Sequence, residues 1–150
     1  LPSELQMQLG IAVGRQTYQA YGEFLASARV RRVMNEGAVP QRLLFASTGT
    51  KDPKASDTLY AEALAAPFTI DTLPEATLLA FADHGRLQAG VPAGADDGSA
   101  VLAAVSQAGI GLDALAERLQ RDGAAAFVKS WQQLLGRIAA KAAALGGAPR

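Results

Sequence analysis

The chain has 150 residues, with 14 basic and 14 acidic side chains and no net formal charge, which excludes the broad field that holds nucleic acid or anionic lipid. Cysteine is absent, so disulfides, thiolate catalysis and cysteine–metal sites are excluded together, as suits a cytoplasmic protein. One histidine, His84, leaves a metal centre without a ligand set, and no apolar run approaches the ~18 residues of a membrane span.

Alanine supplies 32 of the residues, which favours helix in periodic segments. From Leu5 to about Met34 the spacing predicts one long helix, with Gly10, Gly14 or Gly22 as points of breakage. Leu9, Val13, Tyr21, Phe24, Leu25 and Ala28 form its apolar stripe. Arg29, Arg31 and Arg32 read as solvated charges on an exposed surface. Asn35, Gly37 and Pro40 stop the helix.

Leu43-Leu44-Phe45-Ala46 is a short apolar run that ends in the polar stretch Ser47 to Pro53. Such a run suits a strand over about residues 42–47, buried on both faces as in a parallel sheet. Asp57 is placed to cap a helix from Thr58 to about Ala66. Phe68, Thr69 and Ile70 open a second strand over about 68–71. Thr72-Leu73-Pro74-Glu75 matches a capping box for a helix that ends near Asp83, before Gly85.

The order helix, strand, helix, strand, helix implies parallel β/α units, hence an α/β fold. Two strands alone do not make a stable sheet, so further strands are expected from elsewhere. The start at Leu1, with no methionine, reads as a piece cut from a longer chain. Residues 88–98 are a linker rich in Gly, Pro, Ala and Asp. The remainder, 99–146, is expected to be a helical tail: Ser99–Ala108, Leu112–Asp122 and Ala124–Leu145, with Gly109, Gly123 and Gly146 at helix ends. Phe127, Trp131, Leu134, Leu135, Ile138 and Leu145 form one apolar face of the last helix, and Phe127, Trp131 and Tyr21 are spaced as core residues.

Across Arg42–His84 the signals ASTGTKDP, SDTLY and ADHG follow one another in order, and GIGLDALAERLQRDGAAAFVKSWQQLL comes later. This set resembles the C-terminal part of bacterial transaldolases, in particular the branch sometimes fused to glucose-6-phosphate isomerase. The resemblance implies the C-terminal segment of a (β/α)8 TIM barrel of class I aldolase type, helix-rich with an α-helical tail. Residues 1–87 would hold the last β/α units, and 99–146 would pack on the barrel. A complete barrel takes about 250 residues.

The implied reaction transfers a dihydroxyacetone unit between sugar phosphates through a lysine Schiff base, with no metal or organic cofactor. Sedoheptulose 7-phosphate and glyceraldehyde 3-phosphate would give erythrose 4-phosphate and fructose 6-phosphate. Lys51, Lys54, Lys129 and Lys141 are the lysines present, and none stands in the family's lysine–apolar–proline–x–threonine setting. No catalytic residue is therefore assigned here, and the reactive lysine is expected upstream of Leu1. The fragment alone is expected to be inactive.

Ser47, Thr48 and Lys51 are the candidate phosphate-binding residues, since the C-terminal strand ends of a barrel build its site. Hydroxyls, the Gly49 backbone and a lysine charge suit a phosphate dianion. An exposed polar turn is the plainer alternative. Other branches carry an arginine after the corresponding strand, so Lys51 departs from their pattern, and Asp71 stands where the family often has asparagine. Thr72 is expected to cap a helix, and His84 to close one. The expected partners are sugar phosphates, and either the missing N-terminal part of the barrel or a second copy of the chain. The alternatives are a noncatalytic helical interaction module derived from a barrel and another sugar-phosphate aldolase.

Overall fold

The computed structural model describes residues 2, 5–87 and 97–146. The expected linker therefore lies outside the described residues except for Asp97 and Gly98, as does the Ala-Pro-Arg end. The elements are helix α1 (Gln8–Ala26), α2 (Ala28–Asn35), strand β1 (Leu43–Ala46), α3 (Leu59–Leu64), β2 (Thr69–Thr72), α4 (Glu75–His84), α5 (Ser99–Gln107) and α6 (Leu112–Gly146). They form two units, Leu1–Ala108 and Gly109–Arg150.

The first long helix breaks at Ser27 and not at a glycine. Ser27 is extended (φ −65°, ψ 146°), and its hydroxyl oxygen accepts from the Val30 N–H while donating to the Phe24 carbonyl. One serine thus satisfies the end of α1 and the start of α2, where helix backbone groups lack partners. The glycines of α1 serve packing. A Cβ on Gly14 would sit 2.5 Å from Leu64 Cδ2, so its absence lets α1 approach α3 closely.

In the first unit β1 and β2 pair in parallel, with Leu43 opposite Thr69 and Ala46 opposite Thr72. Helix α1 runs antiparallel to them, as a β/α unit requires. Near the C-terminal end of α1, the Tyr21 hydroxyl donates to the Gln41 carbonyl at 2.9 Å and Tyr18 to that of Pro67 at 3.3 Å, just before each strand. Met7 and Gly10, near the start of α1, lie by Ala46 at the end of β1.

Both strands alternate between half-buried and exposed residues. Leu43, Phe45, Thr69 and Asp71 share the half-buried face, whereas Leu44 is 49% and Ile70 43% exposed. The expected burial on both faces is corrected to one, because a sheet of two strands has no described element over its other face.

The core joins Ile11 and Ala12 of α1, Val30 of α2, Ala61 and Leu64 of α3, and Leu102 and Val105 of α5. Each large member contributes about 1.5–3 kcal/mol by leaving water. Gly98 (φ +79°) precedes α5, and a Cβ there would lie 2.6 Å from the Ala12 backbone. Helix α5 therefore seats directly on α1 and belongs to the first unit, although the sequence groups it with the tail.

In the second unit α6 runs unbroken through Gly123, where two helices are expected. A helix-interior glycine costs only about 1 kcal/mol, and the alanine-rich flanks Ala114–Ala116 and Ala124–Ala126 sustain the helix. Phe127 (80% exposed) and Trp131 (60%) lie on its open surface with Leu134, Leu135, Ile138 and Leu145. Their expected burial is corrected: α6 has no buried residue.

Candidate phosphate site

A parallel strand delivers its following loop to its C-terminal end. After Ala46 the backbone turns at once: Ser47 takes a left-handed conformation (φ 60°). That conformation costs a non-glycine residue about 1–2 kcal/mol, and such strain concentrates at functional positions. The turn redirects the loop across the end of β1.

The three candidates, Ser47, Thr48 and Lys51, come together on one cleft of about 360 Å³. Met7, just before α1, and Gly10 of α1 line it together with Tyr60 and Leu64 of α3, the Tyr60 hydroxyl lying 3.6 Å from Met7 Sδ, and Ala46, Gly49 and Asp52 complete the lining. Ser47 and Lys51 are exposed, whereas Thr48 is 5% exposed.

Thr48 has a committed hydroxyl. It donates to Asp71 Oδ1 at 2.8 Å, joining the loop after β1 to β2. A free hydroxyl for a ligand is thus supplied by Ser47, while Thr48 fixes the loop between the strands. Gly49 is packed against α4, where a Cβ would stand 2.9 Å from Pro74 Cγ and 3.4 Å from Thr77 Oγ1. The loop then closes on itself, with Thr50 donating to the Ser56 carbonyl at 2.8 Å and the Lys54 N–H donating to Asp52 Oδ1 at 2.9 Å.

Two expected caps are corrected. Asp57 does not cap α3, whose first residue follows Thr58 with no side-chain cap bond. Asp57 Oδ1 instead meets His84 Nε2 at 2.9 Å. Thr72 does not cap α4, since it belongs to β2 and donates across the sheet to the Phe45 carbonyl at 3.3 Å.

His84 also places Nδ1 3.2 Å from Asp83 Oδ2. The bond to Asp57, then that to Asp83, raises its pKa above 6.5. Glu62 nearby accepts from the Arg86 N–H at 3.0 Å and from the Thr58 hydroxyl at 2.8 Å. Those bonds, the Arg86 one foremost, lower its pKa below 4.5.

Sequence reasoning missed Tyr60 as a wall of the cleft and His84 as the partner of Asp57. The parallel register, once known, leads to Thr48 and Asp71 at neighbouring strand ends. No local signal marks the other pair, 27 residues apart. Among the described residues no three His, Asp or Glu side chains are grouped to hold a metal ion, and no single helix is long and apolar enough to cross a membrane.

Comparison with known proteins gives this geometry a family. Residues 2–138 match the model of the Transaldolase/Fructose-6-phosphate aldolase family. The chain is 44% identical over 141 residues to the transaldolase of Thermobifida fusca (strain YX), covering 93% of this chain and 38% of that protein. It is 46% identical over 133 residues to the transaldolase of Saccharopolyspora erythraea, covering 88% of this chain and 36% of the relative. With the transaldolase of Neisseria meningitidis serogroup C / serotype 2a it shares 39% identity over 135 residues, 90% of this chain and 38% of that one. The chain thus spans little more than a third of the length of the curated relatives it matches. The family's fold is a TIM barrel, and a helix-rich chain with a small parallel sheet is compatible with part of one. From residue 2 to residue 138, this chain belongs to the transaldolase/fructose-6-phosphate aldolase family.

Proposed function

We propose that the chain supplies the last two β/α units and the helical tail of a transaldolase, and that Ser47, Thr48 and Lys51 form its substrate phosphate site. The observation that carries this reading is the meeting of all three residues on one cleft at the C-terminal end of a parallel strand, where barrel enzymes bind their substrates. Ser47 offers a hydroxyl and Lys51 a charge, while Thr48 acts through its bond to Asp71. Lys51 takes the place that an arginine holds in other branches.

In this reading strands β1 and β2 are the seventh and eighth of the barrel. The exposed face of Leu44 and Ile70 turns toward the strands that complete it, and the open outer edges of the pair accept them. A lysine amine on an earlier strand forms an imine with the ketose C2 carbonyl and releases water. The C3–C4 bond then breaks, its electrons pass to the iminium, and the C4 hydroxyl proton leaves with a base. The enamine adds to the acceptor aldehyde, and hydrolysis frees the product. The present residues hold the phosphate end while this occurs. The enzyme works in the cytoplasm without a metal or organic cofactor.

The test is reduction with borohydride in the presence of fructose 6-phosphate. The 150-residue chain is expected to trap no sugar, whereas the intact enzyme carrying it traps one on a lysine outside residues 1–150. An adduct on Lys51, Lys54, Lys129 or Lys141 overturns the assignment. A second reading, cleavage of fructose 6-phosphate without transfer, draws on the other half of the family's name. Release of free dihydroxyacetone from the intact enzyme in the absence of an acceptor favours that reading.

A further inference from the structure

We infer that His84 is a positioning residue for the loop that carries Lys51: it clasps Asp57, so that α4 and the turn after it hold this loop at both ends. The inference rests on the phosphate-site reading for its functional meaning, though the clasp itself rests on geometry.

At the front of the loop, Pro74 and Thr77 pack so closely on Gly49 that a methyl group there would collide with the proline ring. Ten residues further along the helix, His84 Nε2 meets Asp57 Oδ1 at 2.9 Å. The Arg86 N–H then meets Glu62 at 3.0 Å, extending the seam onto α3. Between these points lie the residues from Thr50 to Ser56, with Lys51 among them. Lys51 and Asp57 line one shallow hollow of about 440 Å³, so releasing Asp57 would alter the setting of the lysine.

The histidine is suited to this role by its two faces. Nε2 and Nδ1 each lie against a carboxylate oxygen. Only the imidazolium donates from both nitrogens, since a neutral ring presents one lone pair. The groups facing His84 are Asp57 from the loop, Asp83 from α4 itself and Glu62 from α3, while Arg86 faces Glu62. Asp57 first, and then Asp83, favour the charged form of the ring. The side chains are about half exposed (51% for His84 and 61% for Asp57), so the pair contributes little to global stability. Its effect is local.

The experiment uses the intact enzyme that carries this segment, with inorganic phosphate as the probe at pH 6.5. His84→Ala is expected to raise the phosphate dissociation constant by about threefold, the scale of an exposed ion pair. It is also expected to speed amide exchange of residues 50–56 while leaving the amide of Val105 protected. Asp57→Asn is expected to speed the same amides, and His84→Lys to restore both readouts. Unchanged exchange in both His84→Ala and Asp57→Asn overturns the clasp. Faster exchange with unchanged phosphate affinity overturns its role in positioning. A Lys51→Met variant that binds phosphate like the wild type overturns the phosphate-site reading instead, and the exchange data still judge the clasp.

Discussion

The Thr48 hydroxyl donates a hydrogen bond to Asp71 Oδ1 at 2.8 Å. This bond crosses from the loop after one strand to the neighbouring strand, and the donor is almost wholly buried at 5% exposure. Removing the hydroxyl leaves a partly buried carboxylate without its donor. Thr48→Val is therefore expected to destabilise the intact protein by about 1.5 kcal/mol, the lower range for a hydrogen bond to a charged group. Thr48→Ser should lose less. Urea denaturation of the two variants checks this, and a loss in Thr48→Ser as large as in Thr48→Val would show that the methyl group matters as much as the hydroxyl.

Two glycines with positive φ separate backbone strain from collision. Gly98 (φ +79°) faces the Ala12 backbone at 2.6 Å, whereas Gly109 (φ +84°) has nothing within 4 Å of where a Cβ would stand. Gly109→Ala is expected to cost about 1 kcal/mol, the conformational part alone. Gly98→Ala should cost at least about 2 kcal/mol more, because backbone of α1 cannot step aside as a flexible side chain does. Comparison of the two denaturation midpoints decides whether α5 is seated on α1 as described.

Much of this architecture was legible in the residues themselves. The apolar run Leu43–Ala46, bounded by Ser47 and Thr48, announced a strand, and its alternation with helical segments announced parallel pairing. Ser47, Thr48 and Lys51 were readable as neighbours because a strand end places its loop at one rim. The corner at Ser27 was not, since a serine within a helical pattern competes with three glycines as the point of breakage. Its two hydrogen bonds are local, to Phe24 and Val30, and form only once the chain has bent there. Asp57 and Thr72 both carried good local capping signals, yet each side chain found a stronger partner outside its own helix. Local pattern cannot register such competition. Phe127 and Trp131 show the opposite limit: periodicity identified an apolar face but not whether anything covers it.

The clasp histidine gives a pH dependence of fixed sign. Its folded pKa is raised, the Asp57 bond being the chief cause and the Asp83 bond the second. The stabilisation is thus fully present below the unfolded value of about 6.5. It is lost as pH rises through the raised folded value. Because the pair is half exposed, the readout is local: amide exchange of residues 50–56 in the wild type is expected to speed up over that interval, relative to His84→Gln. Glu62 acts in the reverse sense: its pKa is lowered, first by the Arg86 N–H and then by Thr58. Its contribution is present above the ordinary value of 4.5 and disappears as pH falls through the lowered one. Glu62→Gln should flatten the acid side of the profile.

Helix α6 carries an open apolar stripe that water does not favour. Phe127 is 80% and Trp131 60% exposed, with Leu134 and Ile138 beside them at 47% and 56%. Exposed stripes of this kind mark surfaces that associate. The 150-residue chain is expected to self-associate with rising concentration in sedimentation experiments, and a Phe127→Ser, Trp131→Ser double variant should remain monomeric. Trp131 is the only tryptophan, so its fluorescence reports directly on coverage. Acrylamide should quench it strongly in dilute chain and more weakly as the chain self-associates.

Because Gly49 and Asp57 are each gripped by helix α4 or its last residue, the stretch between them behaves as a cassette in a frame. Within the frame, Thr50 and Asp52 brace the stretch from inside by their bonds to Ser56 and Lys54, so an exchange of the unbraced side chain of Lys51 is expected to leave the strands beneath undisturbed.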